Sequence, residues 1–294
     1  MQALGPDSWD FLQGQFSNDL RVEGALGRSV YGLWLNRKGR IVADGFVLRE
    51  CDESFWIVSC HCEESRVYER LDDYLVMDEV ELVGQAASSY GVALWGGAIE
   101  AVVAELGVEL PLKGDWRGGA GVFAFWGERA GAAVLEVVFS GGDAADRLES
   151  VRAFVQDRGF SILAHDDLSR MAVEALKPRV GLEIGLEDLP QEVGLATVAI
   201  SYEKGCYLGQ EVMARIRSMG KVRKRLASVD LESAQWLGEL PVSLIDQHGK
   251  KRGSLRALEK CDSGYMGIAI IALESGSSLC IEKSDTRVGV RGCL

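Results

Sequence analysis

The order of the hydrophobic patterns along the chain constrains its fold more than any other feature of the sequence. Two segments rich in apolar, β-branched and aromatic residues, 29–35 and 40–50, flank the tetrapeptide Asn-Arg-Lys-Gly at 36–39. They predict a β-hairpin with glycine at its turn. A strand, a helix and a short strand are predicted next, at residues 54–59, 63–76 and 80–83. The first part of the chain is therefore expected to be an α+β unit.

A second unit of the same kind follows the first. Its expected elements are a strand at 92–95, a helix at 98–106, strands near 122–126 and 133–139, and a helix at 144–158. Two α+β units in series predict two small layers of sheet and helix that pack against each other.

The last part of the chain begins with a long irregular segment. A helix predicted at 168–176 ends before Pro178, because proline disfavours helix at the residue that precedes it. Residues 178–197 then form a loop of a length that is usually functional or disordered in compact proteins. Short strands at regular spacing predict a small barrel or sandwich after this loop. They lie at residues 225–231, 241–245, 251–258, 265–271 and 279–281.

Composition excludes several classes of protein. With 47% apolar and 26% charged residues among 294, the chain is expected to be an ordinary globular protein. Its longest apolar run, residues 268–273, is far shorter than the roughly 20 residues that span a bilayer. The N-terminal segment does not resemble a signal peptide. Seven cysteines, an odd number, predict a reducing, cytoplasmic environment and not a disulfide framework.

The net charge of −12 argues against a general nucleic-acid binder, because contacts to phosphate groups need clustered cations. Residues 215–225 are an exception, since this segment has six basic residues and no acidic one. It can be a solvated face, or it can bind an anionic ligand tail or RNA, because local potential can differ in sign from net charge. The basic residues are Arg215, Arg217, Lys221, Arg223, Lys224 and Arg225.

The strongest chemical signal is the segment 203–211, Glu-Lys-Gly-Cys-Tyr-Leu-Gly-Gln-Glu, called the Cys206 segment below. Glycine is unfavourable where the backbone does not need it, so Gly205 and Gly209 predict a tight turn or a close backbone approach. Lys204 is expected to favour the thiolate of Cys206, which is the form of cysteine that reacts and binds metal. The alternative is a helix-entry loop whose cysteine only packs.

A second cluster, Cys60-His61-Cys62, invites a zinc or iron–sulfur interpretation. No second Cys or His pair has the spacing that a metal site needs, so the sequence predicts no metal site. Alternation along a strand places Cys60 and Cys62 on one face at its end, where burial is expected. His165 and His248 lie far from any nucleophile pattern, which argues against a Cys–His hydrolase.

Three segments carry a resemblance to a known family. They are Phe-Leu-Gln-Gly-Gln at 11–15 within the opening 5–15, Leu-Asn-Arg-Lys-Gly-Arg-Ile-Val-Ala-Asp at 35–44, and the Cys206 segment, followed by Arg215 and the basic run to 226. In this order they resemble the YgfZ family of folate-binding proteins, which are related to the T protein (aminomethyltransferase) of the glycine cleavage system. The resemblance covers most of the chain, from residue 5 to about 226.

The resemblance implies an α+β fold with two small ferredoxin-like domains and a C-terminal β-barrel, arranged as a ring around a folate channel. The implied domains are residues 1–28 with 86–205 as a discontinuous α+β domain, residues 29–85 as an inserted α+β domain, and residues 206–294 as the Cys206 segment with the barrel.

The resemblance also implies a pterin contact at Asp44. The matching strand of the T protein carries an Asp-Asp pair that supports chemistry at the folate, and here the pair is Ala43-Asp44. The missing acid puts aminomethyl transfer in doubt but leaves pterin recognition, because one carboxylate can accept two N–H bonds from a pterin edge. Glu174 stands near the position of a pterin-contacting glutamate in T proteins; the alternative is a solvent-facing helical residue.

The other implied site residues lie in or near the Cys206 segment. Cys206 and Lys204 are expected to be catalytic. Tyr207, Gln210 and Arg215 are expected to contact tetrahydrofolate or a derivative, with Arg215 at its glutamate tail. Gln210 together with Cys206 is typical of YgfZ and not of the transferase.

The resemblance implies a tetrahydrofolate-binding protein that supports iron–sulfur cluster assembly or repair, including in tRNA-modifying radical enzymes. Folate, iron–sulfur client enzymes and a weak contact with tRNA are the expected partners, with no membrane. Two alternatives stay open: a folate-dependent aminomethyltransferase or methyltransferase, and a tRNA- or protein-docking module without a small ligand. Ala43 argues against the first alternative, and Cys206 argues against the second.

Overall fold

The computed structural model describes residues 1–21, 27–220, 222–233, 239–262, 264–284 and 286–293. The first α+β unit consists of β1 (Gln2–Leu4), α1 (Ser8–Gln15), β2 (Ser29–Leu35), β3 (Ile41–Cys51), β4 (Ser54–Val58), α2 (Glu64–Asp72) and β5 (Glu81–Val83). Its five strands form one sheet in the order β2-β3-β4-β1-β5.

Alternation along β4 explains how this sheet is covered. Phe55 and Ile57 are buried in a core that also contains Leu12 of α1 and Leu71 of α2. Trp56, between them in the sequence, therefore lies on the opposite face of the sheet. The two helices thus cover one face only and leave the other face for a second layer.

The second unit supplies that layer. Its elements are β6 (Ser89–Leu94), α3 (Gly97–Leu106), β7 (Trp116–Gly119), β8 (Val122–Arg129), β9 (Ala132–Ser140) and α4 (Ala144–Asp157). The strand order is β6-β9-β8-β7, and α3 and α4 pack on the outer face through Val102 and Val151. Aromatic rings join the two inner faces, with centroids 4.8 Å apart for Phe46–Phe125 and 4.6 Å apart for Trp56–Phe123.

The C-terminal strands form a closed barrel in the order β10-β13-β12-β11-β14-β15. Closure pairs the edges that an open sheet would leave exposed. Leu244, Leu255 and Ala269 belong to its buried interior. The strands are β10 (Lys224–Leu231), β11 (Val242–Ile245), β12 (Lys251–Cys261), β13 (Gly264–Ala272), β14 (Ser278–Ile281) and β15 (Arg287–Cys293).

Among the described residues, three α-helices connect the second sheet to the barrel: α5 (His165–Glu174), α6 (Ala196–Ala199) and α7 (Gln210–Met219). A short 3-10 helix, Pro190–Glu192, lies between α5 and α6. The irregular segment between α5 and α6 is held by buried acids, each paired with an arginine. Two of these pairs reach other elements, which explains how such a long loop keeps one conformation. The pairs are Arg179–Glu183, Arg40–Glu192 from the β2–β3 turn, and Arg256–Asp188 from β12.

The predicted fold class is confirmed, with two α+β units followed by a closed barrel. Strand β1, however, lies between β4 and β5, so it shares a sheet with residues 29–83, whereas the implied division joined residues 1–28 to 86–205. Pairing over such a distance leaves no local signal in the sequence. The domain boundaries themselves stay a prediction. Within the described ranges, no helix has both the length and the apolar character needed to cross a membrane.

Candidate functional site

Asp44 lies on β3, on the face of the first sheet that is turned toward the second. Its position two residues from Phe46, which contacts Phe125, places it on this inner face. The Tyr31 hydroxyl donates to Asp44 Oδ2 at 2.8 Å, and the Cys62 thiol donates to Oδ1 at 3.6 Å. Burial raises the pKa of Asp44 to about 6, against the effect of these two donors. The result is a partly buried carboxyl that titrates near neutral pH.

The turn Cys60-His61-Cys62 follows β4 and joins three parts of the molecule. The Cys62 sulfur lies 3.5 Å from the carbonyl oxygen of Val180, and His61 Nε2 lies 3.0 Å from Arg129 Nη1. Because arginine can only donate, His61 Nε2 accepts and the ring is neutral. Burial, together with the charge of Arg129, lowers the pKa of His61 to about 4, in agreement with a neutral ring.

The expectation of burial is only partly correct: Cys60 is exposed as a residue, although burial raises the pKa of its thiol, and Cys62 is partly buried. Strand β4 ends at Val58, so residues 60–62 form a turn and the alternation of a strand does not extend to them. Among the described residues, no three His, Cys, Asp or Glu side chains are arranged to hold a metal ion.

A cavity of about 330 Å³ opens between β4 and the strands β6 and β9, next to this turn. Trp56 and Tyr90 contribute aromatic surface, and Cys60 contributes a thiol. Arg129 and Glu136 form a two-point ion pair at its wall, with distances of 2.6 and 3.0 Å. The cavity and Asp44 are connected through Cys62, which contacts both.

The Cys206 segment lies elsewhere, at the end of α1. Lys204 Nζ donates to three backbone carbonyls, those of Gln13 and Phe16 at 2.7 Å and that of Asn18 at 2.9 Å. Burial lowers the pKa of Lys204 to about 8, so its ammonium form still predominates at neutral pH. All three hydrogen bonds of Lys204 therefore anchor the segment, and Cys206 is exposed on it.

Close contact with the β2–β3 turn explains one of the two glycines in the segment. Gly209 has φ +87°, and a Cβ there would lie 2.9 Å from the carbonyl oxygen of Asn36. Gly39 in the turn has φ +70°, and a Cβ there would lie 2.6 Å from Met213 Cε of α7. Within the described part of the chain, no atom beyond the two sequence neighbours of Gly205 lies within 4 Å of a Cβ built there. The expectation of a backbone requirement thus holds for Gly209 and is wrong for Gly205.

The other predicted site residues lie on the Cys206 segment, on α7 and on α5. Tyr207 is buried, and its hydroxyl has no hydrogen-bond partner among the residues that the structure describes. Gln210 begins α7, and its side chain donates to the carbonyls of Lys204 and Gly205 at 3.4 Å. Arg215 is exposed on α7, and Glu174 is exposed at the last residue of α5. Contacts of these four residues with folate stay predictions.

Sequence analysis missed Tyr31, Cys62, Arg129 and Glu136 as parts of the Asp44 environment. Two of them left a signal: Cys62 belongs to the Cys60-His61-Cys62 cluster, and Glu136 is the one charged residue in the mostly apolar strand β9. A charge in such a strand is costly unless it is paired, which predicts a partner without identifying it.

Three comparisons relate the chain to known proteins. The GCVT N-terminal domain family matches residues 1–114. The mitochondrial iron–sulfur cluster assembly factor IBA57 of Mus musculus is 26% identical over 300 residues, which cover 94% of this chain and 75% of that protein. The tRNA-modifying protein YgfZ of Photobacterium profundum is 26% identical over 277 residues, which cover 92% of this chain and 79% of that protein.

The fold also matches a solved structure. Glycine cleavage system aminomethyltransferase T from Bartonella henselae superimposes with a TM-score of 0.80, over 99% of this chain and 82% of that one. The sequence identity is 16%, so this likeness concerns the fold alone.

Proposed function

The chain belongs to the family related to YgfZ, IBA57 and aminomethyltransferase T, and on this premise we propose that it binds tetrahydrofolate or a derivative and supports iron–sulfur cluster assembly or repair. The clients in this proposal are iron–sulfur enzymes, including those that modify tRNA. One relative is named for iron–sulfur cluster assembly and the other for tRNA modification. The proposed location is the cytoplasm.

The observation that carries the folate proposal is the environment of Asp44. Tyr31 and Cys62 each occupy one lone-pair direction of its carboxylate, one on each oxygen. A carboxylate accepts about four hydrogen bonds, so these two side chains and the backbone N–H of Asp44 do not use its full capacity. A pterin edge offers adjacent N–H donors that suit such an acceptor.

The same strand argues against aminomethyl transfer. Ala43 is fully buried in the core on the helix side of the sheet. An acid at this position would be an unpaired charge in an apolar core, which is costly. Of the pair Ala43-Asp44, Asp44 alone faces the inner side of the sheet, and the second acid of the transferase pair is absent.

The first test is a calorimetric titration with tetrahydrofolate. Asp44→Asn is expected to weaken binding by about 1–3 kcal/mol, because a charged acceptor for buried N–H groups is lost. Affinity of the wild type should be about tenfold lower at pH 5 than at pH 7.5, because the carboxylate is lost as pH falls through a pKa of about 6. Glu105→Gln, which makes the same chemical change at an exposed site on α3, is the control. No binding at millimolar ligand would exclude the proposal.

The second test concerns Cys206, for which we propose the role of the reactive thiol. It is exposed on a segment held in place by Lys204 and Gln210. Iodoacetamide at pH 7, followed by mass spectrometry, should alkylate Cys206 about tenfold faster than Cys51 and Cys293, which are also exposed. Cells with Cys206→Ala should lose cluster-dependent tRNA modification, while Cys293→Ala should retain it. Equal alkylation rates for the three thiols would argue against a reactive Cys206.

A weak tRNA contact is the remaining part of the proposal. Arg215 is exposed on α7, and Arg217 on the same helix already pairs with Glu203 at 3.4 Å. Lys221 of the predicted basic run lies outside the described residues.

A further inference from the structure

The two oxygens of Asp44 are held by donors from different elements. Tyr31 reaches Oδ2 from β2 at 2.8 Å, and Cys62 reaches Oδ1 from the turn after β4 at 3.6 Å. Burial, with Asp44 as a charged neighbour, raises the pKa of Tyr31, so its hydroxyl stays protonated and donates. The carboxylate is thus fixed in orientation before any ligand arrives.

The surroundings of the Cys62 thiol favour its protonated form. Its sulfur lies between two oxygens, Asp44 Oδ1 at 3.6 Å and the Val180 carbonyl at 3.5 Å. A thiolate would be repelled by both, and burial together with Asp44 raises the pKa of Cys62. The S–H group is therefore a donor at neutral pH, and Asp44 is its charged acceptor.

Backbone packing holds this sulfur in place. Gly181 has φ +95°, and a Cβ there would lie 2.5 Å from the carbonyl oxygen of His61 and 3.1 Å from the Cys62 sulfur. The irregular segment after α5 therefore lies directly against the turn. A side chain at position 181 would therefore collide with the turn that carries Cys62.

The groups that face Asp44 come from three sides of the site. Tyr31 stands on β2, Cys60 and Cys62 on the turn, and Arg129 on β8. Arg129 donates two hydrogen bonds to Glu136, and this carboxylate largely balances the charge of the guanidinium. The side chains that donate directly to the carboxylate, Tyr31 and Cys62, are both neutral.

We propose that Cys62 is a positioning residue for Asp44: its thiol proton holds Oδ1 and favours the ionised carboxylate that receives the ligand. This inference rests on the proposed function, in which Asp44 binds the pterin edge. Cys62 thereby contributes to ligand recognition, whereas the proposed thiol chemistry belongs to Cys206.

The test follows the titration of the Asp44 carboxyl by ¹³C NMR in the protein without ligand, with Asp44→Asn to assign the signal. Cys62→Ala should raise the titration midpoint by about 0.5–1 pH unit, because a donor to the charged form is lost. Cys62→Ser, which restores an O–H donor, should return it to the wild-type value or below. Cys51→Ala, at an exposed cysteine on the same strand as Asp44, should leave the midpoint unchanged.

Ligand binding provides the second readout. At pH 6, a midpoint shift of that size lowers the ionised fraction of Asp44, and so the tetrahydrofolate affinity of Cys62→Ala, by about two- to fivefold. At pH 8 the variant and the wild type should bind nearly equally. A purely structural defect would weaken binding at both pH values.

An unchanged midpoint in Cys62→Ala overturns the inference, whether or not folate binds. A shift that Cys62→Ser fails to reverse also overturns it, because packing and not the donor would then be the cause. A reversible shift in a protein that binds no folate would support the role of Cys62 at Asp44 and overturn the proposed ligand.

Discussion

Lys204→Ala is expected to lower the free energy of unfolding by about 3–5 kcal/mol, because it removes a buried ammonium from three backbone carbonyls. The carbonyls of Gln13 and Phe16 stand at the end of α1, where the last turn has no helical donors. A cation also suits the negative end of the helix dipole. Lys204 is 7% exposed, so water cannot readily replace it.

Urea unfolding at pH 7 measures this effect, with the exposed Lys38→Ala on the β2–β3 turn as the control. The control should change stability by less than about 0.5 kcal/mol, as surface substitutions usually do. Equal stability of Lys204→Ala and the control would show that the three carbonyls find other partners. A chemical role for Lys204 beside Cys206 would then be the better explanation.

Glu136→Ala should have a comparable effect, a loss of about 3–5 kcal/mol, because it leaves the Arg129 guanidinium partly buried without its carboxylate. The side chains of Arg129 and Glu136 are 15% and 7% exposed. The double variant Arg129→Leu/Glu136→Leu should recover most of the loss, because it removes the unpaired charge together with its partner.

The chain contains a matched control for this pair. Glu128 precedes Arg129 on β8 and pairs with Lys177 at 2.8 Å, with side chains that are 55% and 48% exposed. Glu128→Ala should therefore cost less than about 1 kcal/mol. If urea unfolding finds similar losses for Glu128→Ala and Glu136→Ala, burial does not set the strength of these ion pairs.

Local sequence patterns predicted many elements of this fold, but not β1, α1, β7, α7 and β15. The hairpin at residues 29–50, the two α+β units and the short C-terminal strands depend on periodicity and turn chemistry, which neighbouring residues determine. The helix predicted at 63–76 ends at Asp72, although Tyr74 and Leu75 still pack in the same core. The periodic pattern reflected the burial of side chains, and Tyr74 and Leu75 are partly buried without being helical.

The environment of Asp44 required information that local patterns lack. Tyr31 reaches Asp44 because β2 and β3 pair with Leu33 opposite Asp44, and a shift by one residue would turn Asp44 to the other face. The register of strands is fixed by the whole sheet. For Lys204 the expectation of a chemical role came from its neighbour in sequence, whereas its hydrogen-bond partners belong to α1 and the residues after it.

The position of β1 within the first sheet has a consequence for the order of folding. Gln2 pairs with Trp56 on one side and with Val83 on the other. This strand is therefore fully paired only after both partner strands have been synthesised. During synthesis the sheet cannot be completed before Val83 has left the ribosome. Contacts between residues so distant in sequence slow folding. Strand edges that are still unpaired are prone to aggregate during this time. Chaperone dependence of the nascent chain should therefore be greatest before β5 emerges.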